Sequence, residues 1–108
     1  MFAVIYNFRV KAGHEDEFQQ AWCNRTEEIK VTYGGLGSRL HQASDGRWIA
    51  YAQWPSREAW ESAGKDNAEM TEAQLAMRAV CESVETLFEL DVRQDLLVMD
   101  DLSTTGPQ

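Results

Sequence analysis

The sequence predicts an α+β domain in which helices cover one face of an antiparallel sheet. Three observations lead there. The period of the apolar residues switches between two and 3.6 in the order strand, helix, strand, strand, helix or helices, strand. A turn signal, Ser44-Asp45-Gly46, separates two strand-like runs and calls for a hairpin. At 108 residues the chain fills one core and leaves no room for a second domain. Together these give the ferredoxin-like, split βαβ pattern over residues 1–100, followed by a flexible tail over 101–108.

Residues 2–10 alternate, with Phe2, Val4, Tyr6, Phe8 and Val10 on one face and Ala3, Ile5, Asn7 and Arg9 on the other. Lys11-Ala12-Gly13 ends this strand, and the acidic cluster Glu15-Asp16-Glu17 suits the positive end of a helix over 14–32, with Phe18, Ala21, Trp22 and Ile29 on its inner stripe. Gly34-Gly35 stops the helix. A strand over 36–43 puts Leu36, Ser38 and Leu40 on one face and Gly37, Arg39 and His41 on the other. Its hairpin partner, 47–54, puts Trp48, Ala50, Ala52 and Trp54 on one face, where small alanines between tryptophans leave a hollow. Ser56 is a good N-cap for a short helix to about Ala63. After a polar joint over 64–69, Thr71-Glu-Ala-Gln74 has capping-box spacing for a helix whose stripe runs through Ala73, Met77, Val80, Cys81 and Val84. Residues 86–93 alternate again as the last strand.

Helices cover only one face of such a sheet. The other carries Ile5, Ile49, Tyr51 and Leu87 among polar residues, a mixed patch that predicts a two-fold homodimer, sheet against sheet. The formal charge of −8 argues against nucleic acid and anionic membrane as partners. No apolar run approaches the ~20 residues of a bilayer span, and the N-terminus alternates like a strand rather than a signal peptide. Cys23 and Cys81, both in segments that read as helical, have no metal-ligand spacing, so a reducing cytoplasmic setting is expected. The glycines at 34, 35 and 37 lack the lysine of a phosphate loop. Neither metal nor flavin is therefore expected.

The stretch Trp54-Pro-Ser56-Arg-Glu-Ala59-Trp60, with the preceding Tyr51-Ala52-Gln53 and the element order, resembles the antibiotic biosynthesis monooxygenase family of dimeric α+β barrels. The resemblance implies a pocket between helices and sheet in which an aromatic phenol is oxidised without metal or flavin. Trp54 falls at a strand-end tryptophan that lines the pocket of the actinorhodin-type members. Trp60 falls at a helix tyrosine, and Ala50 at an asparagine that orients substrate oxygen, so two polar handles are replaced. The haem-degrading branch has an axial histidine after the short helix and an asparagine where this chain has Tyr6; no histidine follows His41, which argues against haem binding by that geometry.

The candidate binding residues are Trp54, Trp60, Tyr6 and Ser38. Each also has a structural reading: the tryptophans fit a core as well as a pocket wall, because tryptophan buries a large area wherever it sits. His41, on the dimer-facing side by parity with Arg39, has no second ligand, and Arg78 suits either a pocket anion or the solvated edge. No catalytic residue is assigned. Two functions follow: a cofactor-independent monooxygenase of a hydrophobic phenol or quinol, or a dimeric protein that binds an aromatic metabolite without turning it over.

Overall fold

The computed structural model describes residues 1–66 and 69–98. It contains β1 (Phe2–Val10), α1 (Glu15–Tyr33), β2 (Ser38–Gln42), β3 (Trp48–Trp54), α2 (Arg57–Gly64), α3 (Glu72–Val80) and β4 (Cys81–Asp91). The strands form one sheet in the order β2-β3-β1-β4, each neighbouring pair antiparallel, which is the ferredoxin-like arrangement. The expected tail over 101–108 and residues 67 and 68 of the expected polar joint lie outside the described residues.

Local chemistry sets most of the boundaries. Gly34 adopts the left-handed conformation that ends α1, and its N–H bonds to the Ile29 carbonyl. Gly35 follows because a Cβ there would meet Ile29 Cγ2 at 2.8 Å. Ser56 caps α2 by accepting the Ala59 N–H at 3.1 Å, and α3 opens with the full Thr71/Gln74 capping box. The hairpin closes through the Ala43 N–H to the Arg47 carbonyl at 2.8 Å, with Gly46 at φ 92°. Arg57 of α2 pairs with Glu89 of β4 at 2.5 Å and lies 4.6 Å over the Phe2 ring, fastening the short helix to the sheet.

The border between α3 and β4 differs from the sequence expectation. Cys81 begins β4, and Val84 is a strand residue opposite Phe8 rather than part of a helical stripe. Val80, Cys81 and Val84 fit a helical stripe, and Cys81 and Val84 share a strand face only through a register shift, so the far edge of β1 decides between the two readings. Starting β4 at residue 86 would leave the backbone of Asn7 through Val10 unpaired on that side, whereas the long β4 pairs β1 from Phe2 to Val10. Register shifts between Ile5 and Tyr6 and between Arg9 and Val10 absorb the mismatch. The first of these also corrects the parity of β4: Phe88 and Leu90 stand opposite Ile5 and Ala3 on the uncovered face, and Leu87 sits at the shift. That face is thus more apolar than expected, with Phe88 60% and Leu90 40% exposed.

The covered face holds two clusters of buried residues. One gathers Phe8, Phe18, Ala50, Val80 and Cys81, with Trp48 and Trp22 against it. The other gathers Phe2, Val4 and Trp54, with Tyr6, Ile29, Ala59 and Trp60 against it. Tyr6 touches both clusters.

Candidate functional site

Between the sheet, α1 and α3 lies a cavity of about 290 Å³. Its floor is the hollow expected from the hairpin: Ala50 and Ala52 pair with Tyr6 and Val4 of β1, and Ala52 also pairs with Ser38 of β2. Methyl groups stand there where larger side chains would have filled the space up to the helices. Gly35 and Gly37 open one side, α1 contributes Trp22, Arg25 and Ile29, and α3 contributes Gln74, Met77 and Arg78.

Three of the four residues singled out in the sequence line this cavity: Tyr6, Ser38 and Trp54. Trp54 is 4% exposed, and its indole N–H is buried without a hydrogen-bond partner. A buried unpaired donor costs about 1–3 kcal/mol, so it marks a place where a partner is missing. Ser38 lends its hydroxyl proton to the Tyr51 carbonyl at 2.9 Å, leaving its oxygen as an acceptor. Trp60 stands one step back. Its indole N–H donates to the Tyr6 hydroxyl at 2.8 Å, its ring lies 5.6 Å from that of Phe2, and it lines an adjoining cavity of about 490 Å³. Tyr6, Arg25, Ile29 and Trp54 line both cavities.

Burial pushes the Tyr6 phenol above its ordinary pKa near 10.0; the Trp60 hydrogen bond opposes the shift and the Glu89 carboxylate adds to it. Tyr6 is therefore a neutral phenol at physiological pH, accepting from Trp60 and, among the described residues, donating to no protein group. It is a hydrogen-bond donor on the cavity wall rather than a base.

Arg25 was not visible from sequence reasoning. It sits between Trp22 and Ile29 at helical spacing on the inner side of α1 and is held by Glu28, which accepts from Arg25 Nη1 at 3.0 Å and from Thr71 Oγ1 at 2.9 Å. The Trp22-Arg25-Ile29 stripe was the available signal. Arg78 does line the cavity, from its exposed rim. His41 does not; it is exposed at the outer strand, with Nδ1 3.1 Å from the Ile49 carbonyl. His14 is engaged with Glu17 at the start of α1. Asn7 lies on the uncovered face, so the first-strand side chains that line the cavity are Tyr6 and Phe8. Among the described residues no group of three or more His, Cys, Asp or Glu is placed to hold a metal ion, and no helix is long and apolar enough to cross a membrane.

A family model, antibiotic biosynthesis monooxygenase, matches residues 1–79. The chain belongs to this family. Among solved structures, it is similar to SnoaB from Streptomyces nogalater, described as a cofactor-independent oxygenase, at 21% identity and a TM-score of 0.67 over 88% of this chain and 95% of that one. A putative family member from Deinococcus radiodurans matches at 13% identity and a TM-score of 0.68, over 93% and 100%. MhuD of Mycobacterium tuberculosis, a haem degrader solved with two haems in its active site, matches at 21% identity and a TM-score of 0.62, over 89% and 99%. These likenesses establish the fold. No curated protein sequence matches significantly.

Proposed function

We propose that the cavity binds a small aromatic phenol or quinol and that the protein oxidises it with O2, without metal or flavin. The observation that carries this reading is the apolar cavity walled by Trp54, whose buried indole N–H has no partner among the described residues. A phenolic or quinone oxygen supplies the missing acceptor. Family membership supports the reaction class, and SnoaB, described as a cofactor-independent oxygenase, shares the fold.

In this reading the ionised substrate is the reductant. A phenol C–H becomes a quinone carbonyl, one oxygen atom of O2 entering the product and the other leaving as water. The protein's part is to orient the rings against Trp54 and Tyr6, to hold the oxygen by hydrogen bonds, and to exclude water. The second reading, binding without turnover, is favoured by Ala50, which offers no side-chain hydrogen bond where the actinorhodin-type members have asparagine. Oxygen uptake with a panel of phenols and hydroquinones separates the two. The monooxygenase reading expects uptake above the protein-free rate that depends on Trp54; calorimetric binding with no uptake from any of the panel would replace it with the binding reading.

We also propose a homodimer through the uncovered face. Phe88 and Leu90 lie beside Ile5, Ile49 and Tyr51 there, and the Asn7 side-chain oxygen is buried without a partner on the same face. Ile49→Asp would set an unpaired charge in the contact and is expected to shift sedimentation toward monomer; a wild-type monomer at micromolar concentration would contradict the assembly.

A further inference from the structure

The chain carries 18 acidic against 10 basic residues, yet the residues lining the cavity over Ala50 and Ala52 include Arg25, Lys30 and Arg78 and no aspartate or glutamate. The three differ in how they are neutralised. Lys30 pairs with Glu27 at 3.1 Å on the exposed side of α1. Arg25 shares Glu28, which Thr71 also holds, and only its Nη1 bonds to protein among the described residues. Arg78 pairs with no carboxylate among the described residues; its Nη1 donates to the Met70 thioether at 3.2 Å, a weak acceptor. A guanidinium with no carboxylate partner among the described residues, in a chain with a surplus of acids, sits on the rim of an apolar cavity. Its place in the last turn of α3 also suits the helix dipole, but the dipole draws cations to any helix end and does not account for a cavity lining without carboxylates.

Resting on the reading that the cavity takes an aromatic phenol or quinol, we infer that the ligand also carries a carboxylate, held at the mouth by Arg78 with Arg25 contributing from α1. Depth separates the two polar groups of such a ligand. The oxygen bonded to Trp54 belongs inside, where that residue is 4% exposed, while the carboxylate belongs at the rim, where Arg78 is exposed. A carboxylate matches the planar donor fork of arginine, and a cation at an apolar mouth attracts an anion more strongly than it would in open water. Size fits a compact acid: a dry cavity of about 150 Å³ accommodates benzene, so about 290 Å³ accommodates two fused rings.

The test is calorimetric titration of the full chain with 6-hydroxy-2-naphthoate and with its neutral amide, which keeps the rings and the hydroxyl. At low ionic strength the acid is expected to bind about tenfold more tightly than the amide, a preference that shrinks as salt is added. Arg78→Gln, an exposed change that the fold tolerates, is expected to abolish most of the preference while leaving the amide affinity within about twofold. Salt dependence in the wild type is a second readout that needs no variant. Equal binding of acid and amide, or a preference that Arg78→Gln and salt leave intact, overturns the carboxylate inference and leaves the phenol pocket standing. Binding of neither probe overturns both.

Discussion

The two ends of the covered sheet face are built from similar residues and do different things. At the Phe8 end the rings interlock: Phe8 and Phe18 lie 5.2 Å apart between centroids, Phe18 and Trp48 5.5 Å, and Phe18 has no exposed surface. Between that cluster and Trp54 the strand presents Ala50, which closes against the Phe8 cluster, and Ala52; a cavity separates this stretch from the helices, and the Trp54 indole N–H is left without a partner. Apolar character alone does not distinguish a core from a pocket. Side-chain volume at the facing positions and the satisfaction of the few polar atoms do, and on both counts the second end leaves room and an unpaired donor for a ligand.

Substitutions at the two ends should therefore diverge. The largest effect is expected from Phe18→Ala, which should cost about 3–5 kcal/mol in urea unfolding because neighbouring rings cannot collapse into the space. Trp60→Phe removes the bond to Tyr6 but keeps the ring against Phe2, and about 1 kcal/mol is expected from the same measurement. Trp54→Phe should change stability by less than about 1 kcal/mol, since the lost ring volume is offset by removal of an unpaired donor, while weakening phenol binding about tenfold. A Trp54→Phe variant as destabilised as Phe18→Ala would erase the distinction between the two ends.

A smaller effect comes from pH. The Tyr6 phenol titrates in the folded protein above its ordinary value near 10.0. Its contribution to stability is therefore fully present below pH 10 and is lost as the pH climbs from there through the folded value, because the unfolded chain ionises first. Unfolding midpoints above pH 10 should fall less steeply in Tyr6→Phe than in the wild type. Parallel curves would mean that the phenol is not held in a desolvated wall.

Much of this arrangement is legible in the sequence because it is set locally. The alternation of residues 2–10, the Ser44-Asp45-Gly46 turn, the Ser56 cap and the Thr71/Gln74 box each involve residues a few positions apart, and the small pair Ala50 and Ala52 between tryptophans marks the hollow. What escapes depends on distant partners. The start of β4 at Cys81 is decided by the unpaired edge of β1, seventy residues away in the chain, and the parity of Phe88 by a register shift that no alternation reveals. Trp60 reads as a wall of the same hollow, whereas its bond to Tyr6 and its packing on Phe2 set it on the same sheet face beside the adjoining cavity. Arg25 reads as one more charge on a helix; only the packing of α1 over the sheet turns it toward the site.

The claim on which the account rests is that the Ala50–Ala52 hollow is a ligand pocket, and calorimetric titration of wild type and Ala52→Phe with 2-naphthol, paired with urea unfolding of both, tests it most directly. The account predicts one saturable site in the wild type, none in Ala52→Phe, and unfolding free energies within about 1 kcal/mol of each other, because the phenyl group fills space that is empty. Absence of saturable binding in the wild type, with Ala52→Phe destabilised by about 1–3 kcal/mol through overpacking, would show the hollow to be ordinary core.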